Sequence, residues 1–495
     1  MHALIPHQPR HLGIIGGLGT LASEDLHGKL AAAIAAMATH GQAAPAAAPC
    51  RLTLDRHPAP PFSGGAGSAD ALARRKLYLY DRMRHLEACR ADGVLVPCFI
   101  SHTFLAELQA ELGVRVFDMM AALARHVGPA PLRIGVLCSS HVRDRRLFER
   151  AFPAAHIVYP GAKIQDECVM PALHGACGTP PQAPGLVTLA RLRRACGDLT
   201  RQGADLIIPG AGEFAALATQ LRDSGHAVLD CHQVYAEYAL AQMDQGRPAT
   251  FKLGVVGGIG PAATVDFLHK IIRHTDASRD QDHVRLVVDH NPQIPDRTAN
   301  LVGDGDDPTL ALYSACRRLE EQGASLIAMP CNTAHAYVGR LQPRLAATIV
   351  NMLDETVRHI GAHYPGHGTV GLLATSGTVA SGVYRAAARG AGFDLIVPDA
   401  QHQQYVMEAI YGSQGVKAGY TEGPRKEALL RACAHLARRG ASVIILGCTE
   451  LPLLLPRDPA FAIAGTTVAL LDPTDLLAQR CVTLARGGKK SCNID

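Results

Sequence analysis

One pattern of short segments occurs twice along this chain of 495 residues. The glycine-rich segment 13–19 matches the segment 254–260, a shift of 254 − 13 = 241 positions. The segments 134–137 and 370–373 are related by a shift of 370 − 134 = 236 positions. Solenoid repeats recur every ~20–50 residues, so this longer spacing indicates a duplicated domain. We therefore predict two units, 1–247 and 251–487, that meet in the segment Gly246-Arg247-Pro248-Ala249-Thr250.

Within each unit, short apolar runs alternate with amphipathic stretches, a pattern typical of βαβ units with a parallel sheet. In the second unit we predict strands at 253–256, 285–288, 326–328, 369–373, 395–397 and 443–446. Helices are predicted at 262–273 and 309–322, and the Ala/Pro-rich stretch 41–49 is expected to be a loop. The predicted fold class is therefore α/β with mainly parallel sheets, in which ligands bind at the carboxyl ends of the strands.

Charge and cysteine usage argue against several classes of protein. The net charge is +4 and the basic residues are spread along the chain, so no nucleic-acid partner is expected. Apolar stretches such as 30–38 are shorter than the ~18 residues that indicate a membrane span. The first residues also lack the pattern of a signal peptide. The 14 cysteines include no Cys-x-x-Cys pair, so we expect reduced thiols, no metal site and a soluble cytoplasmic protein.

Two cysteines stand out because each follows an apolar run that is predicted to be a buried strand. Cys331 lies in the segment 329–335 (Met-Pro-Cys-Asn-Thr-Ala-His), and Cys448 lies in the segment 446–450 (Leu-Gly-Cys-Thr-Glu). In the first copy Cys98 is retained, whereas Ala211 stands at the second position. Paired thiols at strand ends are suited to acid-base or nucleophilic chemistry. The asymmetry predicts one working site and one disabled or altered site.

A glycine-rich turn, Gly258-x-Gly260-x-x-Ala263, lies between a predicted strand and a predicted helix. Such a turn can hold a dinucleotide, but the signal is weak. The next acidic strand end, Asp289, follows Gly260 by 289 − 260 = 29 residues instead of the expected ~20. A tight turn at a helix start, close to a small anionic ligand, is the favoured interpretation.

Five segments of the second copy together resemble a known family. They are 257–264, 291–298, 329–335, 374–378 and 447–450. In this order they resemble the cofactor-independent aspartate/glutamate racemase family, and within it the aspartate racemases. The resemblance spans almost all of the second copy, whereas the first copy shares the scaffold but not the site. It implies two pseudo-twofold-related α/β lobes per unit, with the substrate between them and one catalytic cysteine from each lobe.

The resemblance also implies the chemistry of the pair Cys331 and Cys448. Racemisation removes the Cα proton from one face and returns a proton to the other, so a base and an acid must flank the same carbon. An ordinary cysteine has a pKa of ~8.5, so one thiol must be shifted toward the thiolate while the other stays protonated. The alternative, two core thiols that happen to end strands, remains open. No cofactor is implied, and pyridoxal phosphate is not needed for this proton transfer.

The remaining candidate site residues follow from the same motifs. The family pattern assigns the substrate α-carboxylate to Asn332, Thr333 and Thr375, with Thr378 assisting. Hydroxyl and carboxylate groups beside the second cysteine come from Thr449 and Glu450. An acidic substrate side chain needs fixed cations, for which the candidates are Arg297 and Lys417. Either cation alone is more commonly a solvated surface charge. His335 is a candidate to tune Cys331, with a purely structural role equally open.

The first copy departs from the pattern at several positions. Phe99, Ile100 and Ala211 replace Asn332, Thr333 and Cys448, the segment 57–64 has no arginine, and no lysine matches Lys417. We therefore expect no two-base chemistry there and interpret this copy as a scaffold or regulatory unit. It could supply an intramolecular pseudo-dimer, with a homo-oligomer as the other arrangement. A one-thiol site is the alternative, built from residues that are retained: Cys98, His102, Ser139, Ser140 and Glu213.

Three classes of function remain. Racemisation of aspartate, or of acidic amino acids more broadly, leads because Arg297 and Lys417 match a dicarboxylic substrate. Another enzyme of the superfamily, such as a glutamate or hydantoin racemase or a maleate isomerase, comes second. The third is a sensor that binds an amino acid without catalysis. In each case the partner is a small molecule, and neither nucleic acid nor membrane is expected.

Overall fold

The computed structural model of this protein describes residues 10–39, 50–59, 69–176, 186–243, 251–366 and 368–490. The chain divides into two compact units, Met1–Thr250 and Phe251–Asp495. The predicted loop at 41–49 and the junction segment 246–250 lie outside the described residues, as do residues 60–64 of the segment 57–64.

In the first unit the described strands form parallel sheets of order β2-β1-β3-β4 and β6-β5-β7. These strands are β1 (Arg10–Ile15), β2 (Cys50–Asp55), β3 (Gly93–Leu95), β4 (Arg115–Val116), β5 (Arg133–Cys138), β6 (His156–Val158) and β7 (Leu206–Gly210). The helices are α1 (Thr20–Thr39), α2 (Ala69–Ala88), α3 (Phe99–His102), α4 (Leu105–Glu111), α5 (Met119–Val127), α6 (Ser140–Asp144), α7 (Leu147–Ala151), α8 (Ala162–Ile164), α9 (Met170–Ala176), α10 (Leu186–Arg201), α11 (Gly212–Ala215), α12 (Ala218–Arg222) and α13 (Cys231–Ala241).

In the second unit the described strands form sheets of order β11-β10-β8-β9 and β13-β12-β14-β16-β15. These strands are β8 (Leu253–Gly257), β9 (Leu286–His290), β10 (Leu326–Ala328), β11 (Thr348–Val350), β12 (Thr369–Leu373), β13 (Asp394–Ile396), β14 (Val443–Leu446), β15 (Asp458–Ile463) and β16 (Thr466–Leu471). The helices are α14 (Pro261–His274), α15 (Arg297–Val302), α16 (Thr309–Glu321), α17 (His335–Leu341), α18 (Met352–His363), α19 (Ser376–Ser381), α20 (Val383–Ala387), α21 (Ala400–Tyr411), α22 (Pro424–Arg438) and α23 (Pro473–Lys490).

The sheets of the second unit share one core. Parallel strands are covered on both faces and therefore read as continuous apolar runs, as in β8, where every residue is buried. Apolar side chains of α14, α18 and α23 pack against both sheets in one cluster. Helices α16 and α17 cover the first sheet, and α21 and α22 cover the second. Each unit therefore consists of lobes that are each built on one sheet.

The prediction of an α/β fold with mainly parallel sheets is confirmed, and each strand predicted in the second unit is present, with ends that differ by at most two residues. The sequence reading missed β11, β15 and β16. Strand β11 is too short to show a pattern. The antiparallel hairpin β15–β16 turns at Ala464 and Gly465, which both have positive φ, a geometry that suits glycine better than alanine.

Candidate active site

The two cysteines of the second unit follow strands of different sheets. Cys331 comes after β10 of the first sheet and Cys448 after β14 of the second, and both residues are buried. Because β8, β10, β12 and β14 pair in parallel with their neighbours, the loops after them gather at the carboxyl edges of the sheets. The predicted site residues lie in these loops and in the helices that they begin.

Four threonine hydroxyls connect the two lobes. Thr333 Oγ1 lies 2.7 Å from Thr378 Oγ1 and 3.2 Å from Thr375 Oγ1. Thr298 Oγ1 donates to Thr375 Oγ1 over 3.0 Å. Thr375 also caps α19, since its hydroxyl accepts a hydrogen bond from the Thr378 backbone N–H. Residues from both lobes thus place a cluster of hydroxyls beside the cysteine loops.

Two buried N–H donors of this region have no hydrogen-bond partner among the described residues. They are Nδ2 of Asn332 and Nε of Arg297. The other polar groups of these side chains are engaged. Asn332 Oδ1 accepts a 2.6 Å bond from the Tyr384 hydroxyl, and Arg297 Nη1 donates to the carbonyls of Ile294 and Pro295. Buried donors are nearly always satisfied, so these two N–H groups are candidates to bind an acceptor such as a carboxylate.

Arg297 and Cys331 are direct neighbours. The guanidinium is 7% exposed and lies beside the Cys331 side chain. Burial lowers the pKa of Arg297, but the neighbouring Cys331, Asp296 and Tyr411 side chains together raise it. A guanidinium stabilises a thiolate beside it. The arginine predicted to hold a substrate therefore also contacts one of the two thiols.

Cys448 has the opposite surroundings. Its Sγ lies 3.0 Å from Oε2 of Glu450, whose Oε1 accepts a 2.8 Å bond from Lys417 Nζ. Burial, then the Glu450 carboxylate, raise the pKa of the Cys448 thiol well above its ordinary value. Burial opposes ionisation of Glu450, but Lys417 together with hydrogen bonds from Cys448 and the backbone lowers the pKa of Glu450. Cys448 is therefore a protonated thiol that donates to a carboxylate.

Lys417 is thus brought to the site, but paired with Glu450. About a quarter of its side chain, 26%, is open to solvent. Partial burial lowers the pKa of Lys417, but Glu450, Cys448 and Tyr411 together raise it, so the ammonium stays charged. Lys417 Nζ also lies 5.3 Å from the centre of the Tyr411 ring, whose hydroxyl is 3.1 Å from Asp296 Oδ2. The lysine belongs to a network that spans both lobes.

Sequence reasoning missed two tyrosines of this region, Tyr384 and Tyr411. A signal for Tyr384 was present in the repeat, because the 236-residue shift aligns it with 384 − 236 = 148, a phenylalanine. Its partner Asn332 is also a phenylalanine in the first copy, Phe99. When two residues change together between the copies, this indicates that they lie in contact. No comparable signal exists for Tyr411, whose partners Asp296 and Lys417 lie in two different loops.

His335 has a structural role in this geometry. Its Nδ1 lies 2.9 Å from the Cys331 carbonyl, and its Nε2 accepts a 3.1 Å bond from the Met352 N–H. Burial lowers its pKa, so the ring is neutral. In the first unit His102 makes the same bonds, to the Cys98 carbonyl and the Met119 N–H. Both ring nitrogens of His335 are hydrogen-bonded to backbone groups. Neither nitrogen is therefore left to bond the Cys331 thiol.

The glycine-rich turn makes room for a side chain of the protein. Gly260 has φ of +107°, and a Cβ there would lie 2.4 Å from Oε1 of Glu450. The first unit repeats this arrangement, with Gly19 against Glu213. Asp289 is paired with Arg318 over 2.7 Å, so it is not available for a ribose. The turn therefore makes room for the Glu450 carboxylate. The anionic group beside this helix start is thus a side chain of the protein itself.

The first unit has lost the polar centre. The Phe99 and Phe148 rings stack with centroids 5.6 Å apart, and Ala211 is buried where Cys448 would be. Cys98 keeps a guanidinium neighbour, because Arg75 Nη1 of helix α2 lies 3.0 Å from its sulfur. The sequence showed no arginine in the matched loop, and this arginine comes from a different element. Glu213 is buried, as Glu450 is.

Among the residues that the structure describes, one group has the composition of a metal site: Asp399, His402 and His435. The two imidazole rings are stacked with centroids 4.0 Å apart and planes 17° apart. Their lone pairs therefore run side by side instead of converging. Arg439 Nη1 also lies 3.4 Å from His435 Nε2. This group is a poor fit for a cation.

Within the described ranges, none of the helices is both long and apolar enough to cross a bilayer.

Comparison with known proteins identifies the family. A sequence model described as Asp/Glu/Hydantoin racemase matches residues 15–239 and again residues 256–481. The broad-specificity amino-acid racemase RacX of Bacillus subtilis (strain 168) is 27% identical over 237 residues, which are 47% of this chain and 96% of that protein. The glutamate racemase of Roseiflexus sp. (strain RS-1) is 32% identical over 184 residues, 36% of this chain and 64% of that enzyme.

Among solved structures, aspartate racemase of Picrophilus torridus is 30% identical, with a TM-score of 0.40 over 48% of this chain and 94% of that one. The resemblance stated from the motifs is confirmed at the level of the family, since its model matches twice along the chain. The chain belongs to the Asp/Glu/hydantoin racemase family, with one match in each unit.

Proposed function

We propose that the second unit racemises an acidic amino acid, aspartate first, by a two-base proton transfer between Cys331, Cys448 and the substrate Cα. The observation that carries the proposal is the opposite electrostatic setting of the two thiols. Cys331 contacts the Arg297 guanidinium, whereas Cys448 donates to the Glu450 carboxylate. Two thiols with opposite charged neighbours suit the roles of a base and an acid on two faces of one carbon.

In the proposed reaction the Cys331 thiolate removes the Cα proton, and the electron pair passes into the α-carboxylate as an enolate. The Cys448 thiol then delivers its proton to the opposite face. The product leaves with inverted configuration, while Cys331 is protonated and Cys448 is a thiolate. This state is set for the reverse enantiomer, so the two thiols exchange roles from one direction to the other. No external oxidant, metal or pyridoxal phosphate enters this balance.

Substrate binding is proposed to use the unpartnered donors. Asn332 Nδ2 and the hydroxyls of Thr333, Thr375 and Thr378 would hold the α-carboxylate, where donors also stabilise enolate charge. Thr449 lies beside Cys448 and donates to Glu450 over 3.3 Å. Arg297, with its free Nε, would hold the side-chain carboxylate together with Lys417. Neutral substrates would leave Arg297 Nε unsatisfied.

A broader acidic amino-acid racemase is the second candidate. It is favoured by the pairing of Lys417 with Glu450, because a cation that is already neutralised discriminates less between side chains. The broad-specificity relative agrees with this candidate. Other functions would replace both candidates if neither activity is found. They are glutamate racemase, hydantoin racemase, maleate isomerase and a non-catalytic sensor. We place the activity in the cytoplasm, where thiols stay reduced.

The first unit is proposed to be a scaffold or regulatory unit that does not racemise. Ala211 supplies no proton donor, and the stacked Phe99 and Phe148 rings replace the polar pair of the second unit. Cys98, the thiol that matches Cys331, lies beside Arg75, and the position that matches Cys448 has no thiol.

The test is α-proton exchange of L-aspartate in deuterated water, followed by NMR, together with chiral analysis of the product. Wild-type protein and the variants Cys331→Ala, Cys448→Ala and Cys98→Ala would run in parallel, without metal or pyridoxal phosphate. We expect exchange and D-aspartate from the wild type and from Cys98→Ala, and a loss of at least about 10³-fold in the other two, since each removes an acid-base group. Exchange that survives in Cys331→Ala and Cys448→Ala would refute the two-thiol mechanism. Binding of aspartate without exchange in the wild type would favour the sensor.

A further inference from the structure

We propose that Tyr384 is a positioning residue that orients the Asn332 amide toward the substrate carboxylate. The proposal rests on the proposed function and adds to it a residue outside the motifs. Tyr384 is fully buried at the start of α20, and its hydroxyl donates to Asn332 Oδ1 over 2.6 Å. That bond occupies the amide oxygen. The Nδ2 hydrogens are then left on the side of the amide that has no partner among the described residues.

The phenol is itself anchored. It lies beside the side chain of Thr356 on α18, whose Oγ1 donates to the Met352 carbonyl over 2.7 Å. Tyr384, Thr356 and Asn332 form a chain of polar groups that leads from the core of the unit to the substrate carboxylate. Buried polar networks with every member satisfied are rigid and specify one side-chain orientation. In this network the unsatisfied group is the one that faces the proposed ligand.

The first unit provides an internal comparison. The counterparts of Asn332, Thr356 and Tyr384 are 332 − 233 = 99, 356 − 233 = 123 and 384 − 236 = 148, which are Phe99, Leu123 and Phe148. These three residues are buried in one apolar cluster. The polar chain has therefore been exchanged as a whole for an apolar one in the unit that lacks the second catalytic thiol. A tyrosine kept only for packing would not have to change together with the asparagine and the threonine.

The chain also offers a matched control. Tyr337 is buried in the same unit, and its hydroxyl donates to Asn300 Oδ1 over 2.7 Å, a Tyr–Asn bond of the same kind. Removing either hydroxyl by substitution with phenylalanine deletes one such bond. A purely structural role predicts the same consequences for Tyr384→Phe and Tyr337→Phe. A positioning role predicts that only Tyr384→Phe weakens substrate binding.

The experiment measures KM and kcat for L-aspartate, and Kd for L-aspartate by calorimetry, in the full-length protein. We expect Tyr384→Phe to raise KM and Kd about 5- to 10-fold, the effect of one lost hydrogen bond, with kcat changed less than about 3-fold. Tyr337→Phe should leave both constants unchanged while lowering the melting temperature as much as Tyr384→Phe does. Equal changes in KM for the two variants would overturn the proposal.

A double-mutant cycle separates positioning from packing. In an Asn332→Ala background Tyr384→Phe should change Kd less than about 2-fold, because the phenol acts through the amide. An effect of the same size in both backgrounds would contradict the proposal. Asn332→Asp keeps an acceptor for Tyr384 but lacks Nδ2, so it should lose binding even though it folds. That variant tests the role of the amide if Tyr384→Phe is too unstable to assay.

The outcomes also separate this inference from the proposed function. Wild-type protein that binds L-aspartate without exchanging its α-proton would refute the racemase, and the cycle would still be measured in Kd. Wild-type protein that exchanges the proton but shows no coupling between Tyr384 and Asn332 would refute only the positioning role.

Discussion

The thiol of Cys448 donates a 3.0 Å hydrogen bond to the carboxylate of Glu450, which is also bonded to Lys417. One carboxylate thus links a proposed catalytic acid to a proposed substrate cation. Cys331, by contrast, has a guanidinium as its neighbour. The asymmetry of the two thiols arises from charges placed by different loops.

Replacement of Glu450 by glutamine should lower the pKa of the Cys448 thiol. The Glu450 carboxylate raises that pKa, and its removal also leaves the Lys417 charge unopposed, which acts in the same direction. The ultraviolet absorbance of the thiolate, followed through a pH titration and corrected with Cys448→Ala, measures the midpoint. A midpoint in Glu450→Gln that is equal to or higher than the wild-type value would contradict this electrostatic account.

Removal of Lys417 should destabilise the second unit through Glu450. In Lys417→Met the carboxylate stays buried without its cation, at a cost of about 3 kcal/mol. The double variant Lys417→Met/Glu450→Gln should recover most of this loss. The pKa of Glu450 is lowered in the folded state, so the stabilisation is present above the ordinary value of 4.5 and is lost as the pH falls below it.

Denaturant unfolding of the wild type, the single variant and the double variant measures this effect near neutral pH and again in acid. The difference between the wild type and Lys417→Met should shrink in acid, where Glu450 becomes protonated. A difference that grows in acid would refute the assignment of the Glu450 charge.

Substitution of Thr375 should reduce both stability and activity. Its hydroxyl caps α19, accepts from Thr298 and contacts Thr333. Thr375→Val should cost about 1–2 kcal/mol through loss of the cap and should raise KM for the substrate, while Thr375→Ser should preserve both. In the first unit Ser139→Ala removes the corresponding cap of α6. That control should lower stability without changing KM, and a rise in KM in Ser139→Ala would show that the assay reports stability alone.

Replacement of His335 by alanine should act through the backbone. It removes the bonds to the Cys331 carbonyl and the Met352 N–H, each worth about 1 kcal/mol. His102→Ala deletes the equivalent bonds in the first unit and should cost a similar amount of unfolding free energy. The pH profile of kcat/KM in His335→Ala should keep the shape of the wild-type profile. Loss of one limb of the profile would instead indicate that His335 titrates in the reaction.

Much of the architecture could be predicted from local patterns. Strand β10 and strand β14 were recognisable because buried parallel strands are continuous apolar runs, and each ends just before a cysteine. The short strand β11 and the hairpin β15–β16 were not recognisable, since three residues carry no period and the turn at Ala464 and Gly465 has no strong turn signal. The site loops were found because they follow the strands.

The hydrogen-bond and ion-pair partners of the site residues could not be predicted from local patterns. Lys417 was predicted as a free substrate cation, but it pairs with Glu450, 33 positions away. The segment 57–64 of the first copy has no arginine, but Arg75 of α2 reaches Cys98, 23 positions away. Such pairs form between side chains that the tertiary fold brings close together in a buried place. The sequence of a single strand or helix does not specify them.

The sequence by itself determined that this chain contains two copies of one α/β unit and that only the second has both cysteines at strand ends. The periodicity of apolar residues and the spacing of motifs are local properties, so they can be recognised in the sequence without a structure. The tertiary structure decided which charge stands beside which thiol and which hydroxyl holds the Asn332 amide. Those relationships join loops of different sheets, and they exist because packing of the lobes brings distant residues within hydrogen-bond reach.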